Sequence, residues 1–256
     1  PPENPTMNNQ PENRYSSPYN SPPRIRRPDM NTPVVTYVMI ASCVLVYLGQ
    51  SLSGLILGSD LLTALGAKVN DLIVLGQYWR LVTPMWLHGS ILHIAFNMYA
   101  LFLFGRNLER HYGHYRFLLL YLLSGFGGNV ISFMMSPNPS VGSSTAIFGL
   151  IAAQGVFLYQ NRTMIRNAQA MLMNTVMVAA INLFLGLSPG IDNWGHLGGL
   201  LAGLAFAWSA GPVWDMKVSF DGYSLENQRS TNRVILVALG VFIVFAAIAV
   251  LKISTY

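Results

Sequence analysis

Ser140-Val141-Gly142-Ser143-Ser144-Thr145-Ala146-Ile147-Phe148-Gly149-Leu150 lies inside a run from Phe117 to Asn161, 45 residues without a charge. One bilayer crossing needs about 20 apolar residues, so a run this long holds two crossings and must turn between them. Ser136-Pro137-Asn138-Pro139-Ser140 is the breaker, because Pro, Asn and Ser punctuate periodic structure. Ser144 therefore falls at or near the N-terminus of a membrane helix, with small residues on either side. Ser is a favoured helix N-cap, so capping alone would account for it. The histidines considered below weigh against capping alone.

The same patterning holds along the chain. Of 256 residues, 52% are hydrophobic and 10% charged, with mean hydropathy +0.42. A soluble domain carries roughly 25% charged residues. Charge-free blocks of roughly 18 residues and more exclude a soluble enzyme with a large core and define a polytopic membrane protein. Cys43 stands alone and makes no intrachain disulfide. The net charge of +5 comes from residues flanking apolar blocks rather than forming a stripe. Lipid head groups, not nucleic acid, are the matching partner.

Residues 1–33 are rich in Pro, Asn and Ser and predict a disordered tail that cannot offset its ordering entropy by burial. The tail has no signal-peptide h-region and no transit-type pattern, so a bacterial cytoplasmic membrane is the expected location. Val34–Leu57 is the first expected span. Residues 58–87, broken by Gly58, Gly66 and Gly76, read as short amphipathic pieces in the membrane interface. Five further blocks follow, about Leu92–Phe104, Phe117–Met135, Ser144–Tyr159, Ala168–Leu187 and His196–Ala210. A polar link with Asp215, Asp221 and Glu226 leads to a seventh, Val234–Leu251, and a short tail, 252–256. With the N-terminal tail in the cytoplasm, only Lys68, Arg80 and Lys252 of the 15 basic residues fall outside, as the positive-inside rule requires.

In that topology the second, fourth and sixth helices start at the outer face. His88, His93 and Asn97 lie near the start of the second, Ser144 of the fourth and His196 of the sixth. Strongly polar groups are costly within a membrane and mark functional sites. From Ser144 to Arg162 is about 27 Å of helix at 1.5 Å per residue, short of a ~30 Å hydrocarbon core, so the site is sunk below the surface. His196, Gly199 and Gly203 share one helix face, as do Ala146, Gly149 and Ala153. Such small-on-small faces let helices approach closely in lipid.

Chemistry follows from the residue types. A serine hydroxyl needs a base to become a nucleophile, and His196 is the candidate. Acyl transfer also needs donors for an oxyanion. His93 and Asn97, spaced i, i+4, and the unpaired N–H of Ser144 can supply them. Asp192 reads as a solvated loop residue, which leaves a Ser–His dyad. No HExxH zinc pair occurs, His111-x-x-His114 reads as a solvated face in a basic link, and the helix interiors contain no Asp or Glu. That inventory leaves a metalloprotease without its zinc pair, rules out an aspartyl dyad and argues against a proton-coupled carrier.

Taken together, Gln77-Tyr78-Trp79-Arg80, His88 with His93-Ile94-Ala95-Phe96-Asn97, Gly142-Ser143-Ser144-Thr145, and His196-Leu197-Gly198-Gly199 with Gly203 resemble the rhomboid intramembrane serine proteases over roughly residues 34–251. The resemblance implies a six-helix bundle plus a seventh C-terminal transmembrane helix, an all-α polytopic fold. It implies Ser144 and His196 as catalytic dyad and His93 and Asn97 as oxyanion donors. Phe148 would pack on the imidazole, and Trp79-Arg80 would lie in a loop partly buried in the outer leaflet. His88, Gly142 and Gly199 would support the site. This chain has Thr145 where family members usually have Gly. The implied activity is cleavage of membrane-anchored proteins within or beside their transmembrane segment, with neither metal nor cofactor. A non-catalytic adaptor that binds transmembrane clients is the competing reading; such relatives lack the Ser or the His.

Overall fold

The computed structural model describes residues 25–26, 32–219 and 222–256. The expected disordered tail lies almost wholly outside the described residues, as do Arg14, Arg24, Arg27 and Asp221. In chain order the helices are α1 (Val34–Leu57), α2 (Leu61–Gly66), α3 (Asn70–Val74), α4 (Ile91–Ala100), α5 (Arg106–Tyr112), α6 (His114–Met135), α7 (Ser144–Gln160), α8 (Ala168–Leu185), α9 (Asn193–Ala210) and α10 (Thr231–Ser254). A π-helical turn, Leu101–Gly105, joins α4 to α5. The result is one rod, Ile91–Tyr112, which runs two turns past the expected Phe104. That rod, α1, α6, α8 and α10 are each long and apolar enough to cross a membrane. The protein is thus an integral, multi-pass membrane protein of packed helices.

α7 and α9 are the shorter or less apolar helices because they sit at the centre with α6, away from lipid. α9 replaces apolar bulk with Gly195, Gly198, Gly199 and Gly203. A methyl group on Gly199 would lie 1.9 Å from the carbonyl oxygen of Thr145, and one on Gly203 would lie 2.4 Å from the Cα of Gly149. Backbone meets backbone there, as the shared small faces predict.

The expected absence of acid from the helices is corrected at one position. Glu109 lies inside α5, 1% exposed. α1 begins after Pro33 with no side-chain cap of its own. The Glu109 carboxylate accepts from Val35 N (2.8 Å), Thr36 N (2.7 Å) and Thr36 Oγ1 (2.6 Å). It satisfies the orphan donors of α1 and faces the positive end of its dipole. The His111–His114 reading is corrected too. His111 stacks on Phe157 at 4.6 Å between ring centroids, and His114 pairs with Glu109.

The expected polar link after α9 is also structured. β1 (Ile25–Arg26), β2 (Trp214–Ser219) and β3 (Gly222–Asn227) form a three-stranded sheet ordered β1–β3–β2, with β2 and β3 antiparallel and β1 parallel to β3. The strict apolar–polar alternation of Trp214-Asp215-Met216-Lys217-Val218-Ser219 is the period of a strand, which the polar-link reading overlooked.

Residues 58–87 form α2, α3 and two 3-10 turns, Tyr78–Leu81 and Thr83–Trp86. Asp60 caps α2, accepting from Thr63 N at 2.9 Å. At its other end Arg80, 2% exposed, donates to the carbonyls of Ala64 (2.7 Å) and Ala67 (2.8 Å). A cation at a helix C-terminus meets both the orphan carbonyls and the negative end of the dipole. Trp79 stays half exposed while its indole N–H donates to Leu65 O at 3.0 Å.

Candidate active site

The turn before Ser144 is built by its neighbours. Ser140 and Lys68 exchange backbone hydrogen bonds at 3.0 and 3.1 Å, and Gly142 N donates to Pro84 O at 2.9 Å. The Lys68 ammonium, fully buried, donates to the carbonyls of Asn138 (2.7 Å) and Ser136 (3.0 Å) and to Asn70 Oδ1 (3.1 Å). Burial pushes its pKa down to about 8, partly opposed by the charge of Asp192. Lys68 therefore fastens the turn 136–140 to the first outer loop. Gly142 follows at φ +131°, and a Cβ there would fall 2.7 Å from His93 Nε2. Both the backbone angle and the space demand glycine.

Ser144 is then the first residue of α7, and the N-cap position is Ser143. The capping reading of Ser144 fails on this point, because its Oγ is engaged across the bundle instead. His196 Nε2 lies 2.9 Å from Ser144 Oγ, 52 positions away along the chain. The approach of α9 to α7 at Gly199 brings the two within reach. His196 is 8% exposed and stacks on Phe148, centroids 4.3 Å apart and planes 16° from parallel. Its Nδ1 has no hydrogen-bond partner among the described residues. The geometry is that of a pair, not a triad.

Asp192 departs from its expected solvated role. It is the N-cap of α9, accepting from Gly195 N at 2.9 Å, and it also accepts from Ser132 Oγ on α6. Its carboxylate anchors the helix that carries His196 rather than touching the imidazole.

Ser144, His196, His93 and Asn97 line one cavity of about 740 Å³, walled by the turn Ser136–Val141 and by Phe96. Asn97 is 6% exposed and its Nδ2 has no partner among the described residues. An unpaired buried donor is costly unless an acceptor arrives. An oxyanion on the carbon attacked by Ser144 would be such an acceptor.

His88 stands one layer behind. It is 1% exposed, its ring lies edge-on to His93 at 5.2 Å, and its Nε2 is 3.4 Å from Ser143 Oγ. The Gln50 side-chain amide of α1 holds its backbone, Oε1 accepting from His88 N at 3.1 Å and Nε2 donating to His88 O at 3.2 Å. Burial, then the neighbouring His93, lowers its pKa to about 4, so it is neutral at pH 7. Trp79, Arg80, Phe148 and Gly199 lie outside the cavity lining and act through loop or helix packing. The sequence reading passed over Gln50, gave Lys68 only a place in the charge asymmetry and took Asp192 as solvated. Gln50, the one side-chain amide in α1, was the available signal.

Thr145 also finds its explanation. It is 4% exposed, and its side chain packs where methyl groups on Gly128 and Gly195 would come within 2.6 and 3.0 Å. It fills the seam between α6 and α9 and stays out of the cavity lining.

Residues 75–212 match the family model described as the Rhomboid domain. The chain is 42% identical over 180 residues to "Rhomboid protease GluP" of Bacillus subtilis (strain 168), covering 70% of this chain and 35% of that protein. It is 40% identical over 150 residues to "RHOMBOID-like protein 9, chloroplastic" of Arabidopsis thaliana, covering 58% of this chain and 35% of the relative. "RHOMBOID-like protein 6, mitochondrial" of the same plant is 40% identical over 152 residues, covering 59% and 50%. The matched part of the chain thus spans about a third to a half of the length of these relatives.

Proposed function

Because the chain belongs to the rhomboid family, we propose that it is an intramembrane serine endopeptidase working through a Ser144–His196 dyad. The observation that carries this reading is the 2.9 Å contact between Ser144 Oγ and His196 Nε2 beside an Asn97 Nδ2 that has no partner among the described residues. In the reaction, His196 takes the Oγ proton as Ser144 attacks the scissile carbonyl. His93, Asn97 and the N–H of Ser144 stabilise the oxyanion, and the imidazolium then protonates the leaving amine. Water, activated by the same imidazole, hydrolyses the acyl-enzyme.

The finer assignments belong to the same proposal. Residues 34–251 form one catalytic domain, a six-helix bundle completed by α7 and α9 at its centre and followed by α10 as a seventh span. The arginine-rich end faces the cytoplasm of a bacterial cell and the cavity opens outward. Substrates are single-pass membrane proteins, cut near the extracytoplasmic end of their helix. Two features support this depth: α7 is 17 residues long, shorter than a crossing requires, and the cavity lies at its outer end. An adaptor role gains nothing from an engaged serine–histidine pair. A fluorophosphonate probe tests the proposal: labelling of the purified protein that disappears in Ser144→Ala is expected. Labelling that persists unchanged in that variant contradicts an activated Ser144.

A further inference from the structure

The opposite end of the bundle holds a second cavity, of about 390 Å³, between the last turns of α7 and α9 and the start of α10. Arg162, Arg229 and Arg233 line it together with Tyr159 and Trp208. Among the described residues each guanidinium donates one hydrogen bond, and that of Arg162 also lies over the Tyr159 ring at 4.6 Å. Arg162 Nη1 donates to Tyr159 O (2.9 Å), Arg229 Nη1 to Ala207 O (3.2 Å) and Arg233 Nε to Ser209 O (2.9 Å). With five N–H donors per guanidinium, most of the donor capacity remains. Among the described residues no carboxylate lines this cavity or pairs with its arginines, and Asp215 on β2 accepts from Met216 N at 2.9 Å. Glu226 pairs with Lys217 at 2.7 Å and Glu109 caps α1. Arg229 is further crowded by the like charges of Arg233 and Arg116. Tyr159 and Trp208 stack at 5.8 Å and stay exposed, at 44% and 52%. Aromatic rings beside arginines at the ends of spanning helices sit at head-group depth.

We propose that this cavity binds the phosphate of an anionic phospholipid head group, with Arg162, Arg229 and Arg233 as the phosphate ligands and the Tyr159–Trp208 pair against the acyl-chain side. Forked N–H donors match phosphate oxygens, and the three guanidinium charges, paired with no carboxylate among the described residues, stand at the membrane surface where anionic lipid is concentrated. Occupancy ties α10 to α7 and α9, the two helices that carry the Ser144–His196 contact.

The test is native mass spectrometry of the full chain in detergent, titrated with dihexanoyl phosphatidylglycerol, dihexanoyl phosphatidylcholine or inorganic phosphate. One phosphatidylglycerol per protein is expected to saturate, with phosphatidylcholine retained far less. Arg162→Gln should weaken it about fivefold, the value of one arginine at a charged membrane surface. The recorded bond of Arg162 is to its own helix end, so this variant leaves the fold intact. Arg229→Gln should act alike, with its melting temperature checked because it also caps α9. Arg106→Gln is the control, since Arg106 at the same end lies over Phe102 and outside the cavity. Equal retention of phosphatidylcholine, or equal weakening by Arg106→Gln, would overturn the site. Stoichiometric inorganic phosphate with no lipid retained would overturn the lipid assignment in favour of a soluble phosphate.

Discussion

Nucleophile and base act as a unit, so removing either removes the whole effect of the pair. Ser144→Ala and His196→Ala should each abolish proteolysis, and the double variant should be no worse, as read by gel-based turnover of a single-pass substrate. His93→Ala and Asn97→Ala differ from these. Losing one oxyanion donor lowers kcat roughly 10²–10³-fold, with KM little changed and serine labelling retained in weakened form; a change in KM alone would make them binding or packing residues. His88 gives a pH signature. Its folded pKa, about 4, lies below the ordinary 6.5, so the unfolded chain binds more protons between these values. Its share of stability is whole above pH 6.5, falls by about 1.4 kcal/mol per unit of pH below that, and is gone near pH 4. Melting temperatures from pH 7 to 4 should fall less steeply in His88→Gln than in the parent protein. At this scale the sequence exposed the residues whose polarity is out of place in a membrane: Ser144, His196, His93, Asn97. It hid Asp192 and Glu109, because their partners Ser132 and Thr36 lie 60 and 73 residues away and a lone acid beside a loop or helix end looks solvated.

Among the elements, α7 and α9 matter most, and their seam is the least forgiving place in the molecule. A methyl group on Gly199 would meet the Thr145 carbonyl at 1.9 Å, a backbone atom that cannot swing aside. Overpacking costs typically about 1–3 kcal/mol, and here the strain falls on the residue after Ser144. Gly199→Ala should therefore lower the melting temperature and lengthen the Ser144–His196 contact. Serine labelling should drop further than in Gly240→Ala, on a face of α10 with open space. Equal effects in the two variants would dissociate the seam from the site. The shared small faces were legible because helical spacing alone aligns them. The hairpin β2–β3 carried a signal too, the strict apolar–polar alternation of Trp214-Asp215-Met216-Lys217-Val218-Ser219 before Asp221-Gly222, which the reading as a polar link passed over. Glu109 teaches the same lesson from the other side: α1 lacks a local cap, and its true cap comes from α5. Glu109→Gln should destabilise by about 0.5–2 kcal/mol, the range for lost caps, without changing the cleavage position.

For the whole molecule, the depth of the cavity decides what can be cut. An intact transmembrane helix has every backbone carbonyl bonded internally, and exposing one in lipid leaves polar groups unsatisfied at several kcal/mol each. In the proposed topology, a site at the outer end of the short α7 would meet substrate where Gly or Pro can open the first turn at low cost. Replacing such helix breakers by Leu should suppress cleavage while membrane insertion continues. The overall plan of apolar helices was readable from charge-free blocks, whereas the centrality of α7 and α9 was not, because a hydropathy profile responds to lipid-facing bulk and these helices face one another. The most direct measurement of the central claim is mass mapping of the product. Purified protein is incubated with a single-pass substrate, with Ser144→Ala alongside, and the new termini are weighed. The account predicts one cut within the first turn or two of the extracytoplasmic end of the substrate helix, absent with Ser144→Ala. A cut at the cytoplasmic end, or one that survives in Ser144→Ala, would contradict it.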